Sequence, residues 1–341
     1  MAGLNKAIPL LAGLALGIVL PSHGEAQPAA EFYKGKTLEI LAGFPAGGGY
    51  DAYARALATA IGKHIPGNPS VVVRNMTGAG SLRLAIYLQD AAPRDGLSFG
   101  IFDNGLLIAP LLKPDTVKFN PSKLSWLGSA SKDIQVCSVW HKSDVKTLDD
   151  LKTKSATFGV TGLEDIRYMN TALLRHVAGA NIKIVSGYPG STDIRLAMET
   201  GELDGVCDSW QSLKATKAEW LAEKKISILA QMAPAPHKDL PDVPLIGAFG
   251  DPATQARALT ILLSPTHVGR SFAAPPGVPA DRLEILRHAF AESMKDTDFL
   301  SLTEKSRLEV DAMSGQDVEE FLRQIYTAAP QDVATAKKLV E

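Results

Sequence analysis

Two stretches near the start of the chain share one order: a short apolar run, a glycine-rich turn and a segment with helical periodicity. In the first, residues 38–44 lead to a turn with three consecutive glycines, and residues 50–65 then repeat apolar side chains on one helical face. In the second, residues 71–73 lead to a turn at 77–80 and a helical pattern over 81–91. Strands that alternate with helices through short turns predict a parallel α/β sheet.

The same alternation resumes in the middle of the chain, after a largely apolar run at 134–141. We predict strands at 156–160, 182–186, 205–207 and 226–231, and helices at 165–178, 192–200 and 213–225. The chain has 341 residues, a length that fits about two domains of ordinary size. The sequence therefore predicts two α/β units in tandem, with the run at 134–141 crossing from one to the other.

The charge balance excludes one large class of partner. The chain carries 35 Lys and Arg residues and 37 Asp and Glu residues, so its formal net charge is −2. Domains that bind nucleic acid usually show a marked basic excess, because contacts with phosphates dominate their affinity. We therefore expect no nucleic-acid partner.

Residues 1–26 have the pattern of a secretory signal peptide. Lys6 precedes an apolar stretch at 7–20, and Gly24 and Ala26 supply the small residues of a cleavage site. The 14 residues of the apolar stretch are fewer than the ~20 of a membrane span. We expect cleavage after Ala26 rather than an uncleaved anchor, and hence an exported, periplasmic protein that is not itself embedded in a membrane.

The chain has two cysteines, Cys137 and Cys207. In an oxidising compartment they would form one disulfide, and otherwise they would pack as two small buried thiols. Their separation in sequence decides nothing without the distance between them in space. From the sequence, both interpretations stay open.

The two glycine-rich turns are the strongest candidates for a binding site. The first N–H groups of a helix lack partners within the helix and carry a partial positive charge, and glycine lets a ligand approach the backbone. Either turn alone would also serve as a tight strand–helix connection. Two such turns at the carboxyl edge of one sheet favour a site for an anion, either a phosphate or a carboxylate.

No enzyme or cofactor motif accompanies these turns. Residues 78–83 lack the third glycine of the dinucleotide fingerprint, and Ala30 stands where a phosphate-binding loop ending at 35–37 would need glycine. The sequence contains no G-x-S-x-G motif, and its seven histidines show no metal-ligand spacing. We expect no cofactor, no metal and no catalytic residue.

Residues 36–51 and 71–80 resemble the Bug/TctC family, the extracytoplasmic solute receptors of tripartite tricarboxylate transporters. The residues that match the family pattern in order are Pro45, Gly47, Gly48, Asp51, Asn75, Gly78, Ala79 and Gly80. The similarity continues through 92–96, 187–190, 201–204 and 274–279, so it covers nearly all of the chain after residue 26.

This resemblance implies a two-domain, type II periplasmic-binding-protein fold with a Venus-flytrap cleft. Each domain would be a mainly parallel sheet flanked by helices. Domain one would comprise residues 27–135 plus 269–341, and domain two residues 136–268. Crossing strands near 136–140 and 268–273 would act as the hinge.

The resemblance also implies a site, in which the glycine turns of domain one hold a carboxylate and loops of domain two close over it. Carried over to this chain, the domain-one residues are Phe44, Pro45, Ala46, Gly47, Gly48, Gly49, Thr77, Gly78, Ala79, Gly80, Ser81 and Asn104. Asp51 would order the first turn through local N–H groups, in preference to a direct bond with a ligand hydroxyl. The domain-two residues are Thr161, Gly162, Arg167, Tyr188, Gly190, Ser209 and Trp210.

The chain departs from the family where the first helix of domain two begins, because residues 162–167 read GLEDIR instead of a Gly-Ser-rich start. Arg167 would either clasp a distal carboxylate of the ligand or pair with Glu164 on the same helix, and we favour the pair with Glu164. Arg83 has the same ambiguity. Trp210 would either stack on an aromatic acid or pack in the core.

These observations predict a monomeric receptor for a small organic carboxylate, either a di- or tricarboxylate or an aromatic acid. By the family resemblance, the receptor would dock on a membrane permease of one large and one small subunit. One alternative is a receptor that reports its ligand to a membrane signalling partner, and another is a scavenging module without a transporter. An enzyme on the same scaffold is less favoured, because no nucleophile–base motif occurs.

Overall fold

The computed structural model describes residues 1, 3 and 29–341. The predicted signal peptide therefore lies outside the described residues, apart from Met1 and Gly3. Among the described residues, no helix combines the length and the apolar character needed to cross a bilayer.

The chain folds into alternating strands and helices. The strands are β1 Thr37–Ala42, β2 Ser70–Asn75, β3 Ser98–Ile101, β4 Ser125–Ser129, β5 Gln135–Trp140, β6 Ala156–Val160, β7 Ile182–Ser186, β8 Gly205–Ser209, β9 Ile226–Met232, β10 Ser271–Ala274 and β11 Met313–Ser314. The helices are α1 Ala29–Phe32, α2 Gly49–Ala58, α3 Leu82–Asp90, α4 Ala109–Leu112, α5 Asp150–Thr153, α6 Ile166–Ala178, α7 Ser191–Thr200, α8 Trp210–Thr216, α9 Ala218–Ala222, α10 Pro252–Leu263, α11 Ala280–Ser293, α12 Thr297–Lys305, α13 Gly315–Tyr326 and α14 Pro330–Lys338.

The strands form two sheets, ordered β11-β4-β10-β3-β1-β2 and β7-β6-β8-β5-β9. We call each sheet with the helices packed on it the first unit and the second unit. Strand β1 runs parallel to β2 and β3, and β6 runs parallel to β7 and β8. Strands β10 and β5 instead pair antiparallel with their neighbours. The predicted fold class is confirmed. One difference is that both sheets are mixed, because β10 and β5, which follow the connecting segments, are antiparallel to their neighbours.

Each unit has a buried core. In the first, Leu38, Phe99 and Phe272 are fully buried around the sheet. In the second, the core around Phe158 also takes in Val340 and other apolar residues at the end of the chain. Helix α14 thus packs with the second unit, although the expected division assigns 269–341 to domain one. That division, 27–135 plus 269–341 against 136–268, stays a prediction.

Two helices differ from their predicted bounds. The helix expected at 213–225 begins earlier, because Ser209 Oγ accepts the N–H of Ser212 and caps α8. The same stretch is interrupted at Lys217, where α8 ends and α9 follows. The helix expected at 50–65 ends at Ala58, and only a short 3₁₀ turn follows over Ile61–His64.

Two connecting segments run side by side between the units. The Ala130 N–H donates to the Arg270 carbonyl at 2.9 Å, and the Asp133 N–H donates to the Thr266 carbonyl at 2.9 Å. A Cβ placed on Gly269 would lie 2.3 Å from the Asp133 Cβ, so this close approach requires glycine. The segments that touch each other are therefore those leading into β5 and β10, whereas the expected crossing strands at 136–140 and 268–273 lie mostly in β5 and β10, which belong to different sheets.

The structure forms the disulfide that the sequence left open. Cys137 on β5 lies directly opposite Cys207 on the antiparallel neighbour β8, with Cα atoms 3.9 Å apart, and the two sulfurs are bonded. Both residues are fully buried in the second unit. The bond therefore links two neighbouring strands of one sheet.

Candidate functional site

A small cavity of about 10 Å³, room for about one water molecule, lies between the two units. Residues of both units and of the connecting segments form its wall: Gly49, Tyr50, Asp133, Gln135, Ile166, Arg167, Ser191, Ser209, Ser212 and Arg270. Most of these residues are polar or charged, which is unusual for buried side chains and points to a polar ligand.

Four helices begin at this cavity. Gly49 is the first residue of α2, Ile166 of α6 and Ser191 of α7, and Ser209 caps α8. The N-terminal end of a helix carries a partial positive charge on N–H groups that have no partner in the helix. The convergence of four such ends favours a negatively charged group in the cavity.

Arg270 joins the connecting segments to both units. Its Nη2 forms an ion pair with Asp133 Oδ2 at 2.8 Å and donates to Ser209 Oγ at 2.7 Å. The guanidinium lies over the Tyr50 ring, 4.4 Å from the ring centre. Its Nε is buried and has no hydrogen-bond partner among the described residues. This N–H is available to an acceptor inside the cavity.

Arg167 forms the wall from the second unit. Its Nη2 donates to Ser191 Oγ at 2.5 Å and to Asp208 Oδ1 at 3.0 Å. Its Nε and Nη1 are buried without a hydrogen-bond partner among the described residues, although Nη1 lies 3.9 Å from the carboxylates of Asp103 and Asp165. Arg167 thus pairs with Asp208 rather than with Glu164, the partner that we favoured from the sequence.

Burial raises the pKa values of the acids in this site, and nearby arginines lower them. Burial raises the pKa of Asp133 to about 6, against the opposing effect of Arg270. For Asp208 burial acts in the same direction, but Arg195 and Arg167 outweigh it and hold the pKa at about 2. Burial and the neighbouring Asp165 carboxylate raise the pKa of Asp103 to about 7. A site with such perturbed carboxyl groups is a candidate for ligand binding.

Solved structures share the architecture of this chain. The periplasmic binding protein BugD is 18% identical, with a match that covers 90% of this chain and 98% of that one at a TM-score of 0.72. This chain has the periplasmic-binding-protein fold. Two Rhodopseudomonas palustris proteins show the same fold: one with adipate (20% identity, coverage 88% and 97%, TM-score 0.70) and MatC with bound malate (18%, 90% and 99%, 0.68). No family model and no curated protein matches the sequence.

In this periplasmic-binding-protein fold, the first glycine turn reaches the cavity through Gly49. A Cβ there would lie 2.9 Å from the Ser212 Cβ, so the two units are in close contact at this point. Asp51 accepts the Gly47 N–H at 3.0 Å and is held by Arg55 and Asn75. Burial raises the pKa of Asp51, but these hydrogen bonds outweigh it and lower the pKa. Asp51 therefore orders the turn and does not face the cavity.

The second glycine turn lies against the second unit and does not line the cavity. A Cβ on Gly80 would lie 2.8 Å from the Asp165 Cβ, and one on Gly162 would lie 3.0 Å from the Gly80 nitrogen. Ser81 does not cap α3 with its side chain, and its Oγ instead accepts the Asp103 N–H at 2.8 Å. The turn is thus a contact surface between the units.

Three of the remaining predicted residues form hydrogen bonds with other side chains or with the backbone. Asn104 donates to the Pro265 carbonyl at 2.8 Å and accepts from the Tyr50 hydroxyl. The hydroxyl of Tyr188 donates to Glu202, at the rim. The indole of Trp210 donates to Asp239 at 3.1 Å within the core of the second unit. The other predicted residues do not line the cavity: Phe44, Pro45, Ala46, Gly47, Gly48, Thr77, Gly78, Ala79, Thr161, Gly162 and Gly190.

Of the predicted site residues, Gly49, Arg167 and Ser209 line the cavity. Sequence reasoning missed Asp133, Gln135 and Arg270, which lie on or beside the connecting segments. One signal was present, since both predicted crossings carry charged or amide residues beside apolar runs.

Proposed function

We propose that this chain is a periplasmic solute-binding protein that captures a small organic carboxylate for a membrane transporter. The observation that carries the proposal is the cavity where four helices begin and two buried arginines present N–H groups without a hydrogen-bond partner among the described residues. A carboxylate supplies acceptor atoms for these N–H groups. Proteins of the same fold have been solved with malate and with adipate, which supports this ligand class.

The mechanism is capture followed by closure. Because the cavity is enclosed, the ligand enters while the units are apart, and it first meets Gly49 and Arg270 beside the connecting segments. Rotation of the second unit about these segments then brings Arg167 and Ser191 onto the ligand. The closed form is the one that a transporter would recognise.

We infer the cellular setting from the sequence and its family resemblance. The protein would be exported through its leader at 1–26 and act as a monomer. Its partner would be a permease of one large and one small subunit, of the tripartite tricarboxylate type. A pull-down of membrane proteins with the ligand-bound receptor would test this partner.

We further propose that the protein binds its ligand without turnover. The hydroxyl of Ser209 donates to Asp133, and its two lone pairs accept from Arg270 and from the Ser212 N–H. A hydroxyl engaged in this way is not a free nucleophile. Recovery of the ligand unchanged after long incubation, measured by NMR, would support this, and any product would contradict it.

Thermal unfolding against a panel of carboxylates tests the binding function. The panel comprises citrate, succinate, malate, glutamate, nicotinate and terephthalate, added to protein first stripped of ligand by unfolding and refolding. A ligand at about 100 times its Kd adds ~2.7 kcal/mol to the free energy of unfolding. In a chain of this size, the melting temperature then rises by several degrees, at ~2 °C per kcal/mol. No shift with any carboxylate would contradict the proposal.

A matched pair of serine variants adds a control. Ser191→Ala removes the hydroxyl that accepts from Arg167, so the ligand-induced shift should shrink. Ser293→Ala removes a buried hydroxyl on α11, away from the cavity, and should leave the shift unchanged. Equal shifts in the two variants would argue against the cavity as the site.

A further inference from the structure

The cavity wall contains unpaired hydrogen-bonding groups of both kinds, donors and an acceptor. Nε and Nη1 of Arg167 and Nε of Arg270 are buried donors without an acceptor among the described residues. Oε1 of Gln135 is a buried acceptor without a donor among them. Buried polar groups are nearly always hydrogen-bonded, and leaving one unpaired is costly. A ligand that only accepts hydrogen bonds would satisfy the arginines and leave Gln135 unpaired.

The orientation of the Gln135 amide is determined by its neighbour. Its Nε2 donates to Asp133 Oδ2 at 2.9 Å, and the same oxygen forms an ion pair with Arg270 Nη2 at 2.8 Å. A carboxylate held by an arginine accepts and does not donate, so the amide nitrogen must be the group that faces it. The amide oxygen is then left as the second contact of Gln135, and Gln135 lines the cavity.

The charges of the site also limit the ligand. Arg167, Arg195 and Arg270 are buried here, and so are the four carboxyl groups of Asp103, Asp133, Asp165 and Asp208. Three positive groups against four acidic ones leave no large positive excess. Burying a ligand with several uncompensated negative charges would therefore be unfavourable.

We propose that the ligand is a small carboxylate that also carries a hydrogen-bond donor, a hydroxyl or an ammonium group, and that Gln135 selects for this donor. The inference rests on the proposed function. The carboxylate of the ligand accepts from Arg167 and Arg270, and its hydroxyl or ammonium donates to Gln135 Oε1. The cavity of about 10 Å³ has room for about one water molecule in this closed form, so the two units must move apart to admit even a small ligand.

Isothermal titration calorimetry with matched pairs of acids tests the donor. The pairs are malate and succinate, glutamate and glutarate, and lactate and propionate, which differ only by a hydroxyl or an ammonium group. The donor-bearing member of at least one pair should bind about 10- to 100-fold more tightly. The pair that shows the preference then distinguishes a hydroxy acid from an amino acid.

Two glutamine variants test the role of Gln135. Gln135→Met keeps the length of the side chain and removes its acceptor, so the preference within a pair should fall to about twofold or less. Gln211→Met is the control, because Gln211 is equally buried and also has an unpartnered Oε1 among the described residues, yet does not line the cavity. This control should keep the full preference for the donor-bearing acid of the pair.

The possible outcomes separate the two proposals. Equal binding of both members in every pair, or an unchanged preference in folded Gln135→Met, would overturn the selection for a donor and leave carboxylate binding intact. If neither member of any pair binds, this inference fails, and the proposed function fails with it only if the whole carboxylate panel also gives no shift. Because the wild-type pairs are informative by themselves, the test does not depend on the folding of a variant.

Discussion

At the scale of single residues, a glycine controls how closely the two units approach. Gly80 has φ +57°, a backbone conformation that residues with side chains rarely adopt. Any Cβ on Gly80 would also lie too close to Asp165 of the second unit. Glycine is therefore needed here for its backbone conformation and for the contact between the units.

The substitution Gly80→Val should abolish or strongly weaken ligand binding, by at least about tenfold, because the added side chain prevents closure. The control is Gly179→Val, because Gly179 has a similar φ of +67° and nothing lies within 4 Å of its added Cβ. Both variants should lose ~1–2 kcal/mol of stability from backbone strain. Calorimetry that finds unchanged affinity in folded Gly80→Val would contradict the role of this contact.

Asp103 makes the stability of the protein depend on pH. Its pKa is raised from 3.8 to about 7 by burial and by Asp165, so the folded state binds an extra proton between these values. The stabilisation is complete at low pH and is lost as the pH rises through about 7. Asp103→Asn should therefore gain stability relative to the wild type as the pH rises, while it keeps an oxygen for the N–H groups of Gly105 and Ile166.

Urea unfolding of both proteins at about pH 5 and about pH 8 would measure this difference. Part of the dependence should remain in Asp103→Asn, because the pKa of Asp133 is also raised. Parallel pH profiles for the variant and the wild type would show that Asp103 does not titrate in this range.

At the scale of elements, the second sheet is held by a covalent bond across two neighbouring strands. Strands β5 and β8 come from distant parts of the chain, since the bonded cysteines are 70 residues apart. Strand β5 follows one connecting segment and β8 ends at Ser209 on the cavity wall. The disulfide therefore fixes the frame that carries both Gln135 and Ser209.

Replacing both cysteines, Cys137→Ala with Cys207→Ala, should lower the free energy of unfolding by ~2–4 kcal/mol, because the unfolded chain regains freedom. Hydrogen exchange should rise first in the amides of β5 and β8 and least in β1 and β3. Equal urea midpoints for the variant and the oxidised wild type would contradict this, as would free thiols in the purified protein.

At the scale of the whole molecule, contacts at the mouth of the cleft favour the closed form. Lys214 on α8 donates to Glu309 of the first unit at 2.5 Å and to Asp239 at 2.7 Å. The Nε2 of His237 lies 3.8 Å from Glu309. These groups are half-buried, so their attraction is partly screened by solvent. We call these weak contacts of Lys214 and His237 with Glu309 the clasp between the units.

The substitution Glu309→Gln should loosen this clasp and weaken ligand binding by no more than about fivefold, the equivalent of ~1 kcal/mol. Small-angle X-ray scattering should show a larger mean radius without ligand and the wild-type radius at saturation. The control Glu304→Gln replaces an exposed residue of α12 and should change neither value. If Glu309→Gln scatters and binds like the wild type, the clasp has no role in closure.

The alternation of the sequence determined the fold class and several elements outright. Strands β6 and β7 occupy the predicted residues 156–160 and 182–186, because short apolar runs between turn residues leave few other structures open to the chain. The sequence also identified Gly49, which lies next to a predicted helix start, while Arg167 and Ser209 came from the family resemblance. Pattern and local chemistry are sufficient for features of this kind.

Tertiary structure alone decided which groups meet in the cavity. Asp133 and Arg270 lie on segments far apart in the chain, and they pair because the two segments run side by side between the units. The same packing covered the second glycine turn with the second unit and gave Arg167 the partner Asp208 instead of Glu164. Local sequence determines where helices and strands form, but the charge and size of the cavity depend on contacts between distant segments.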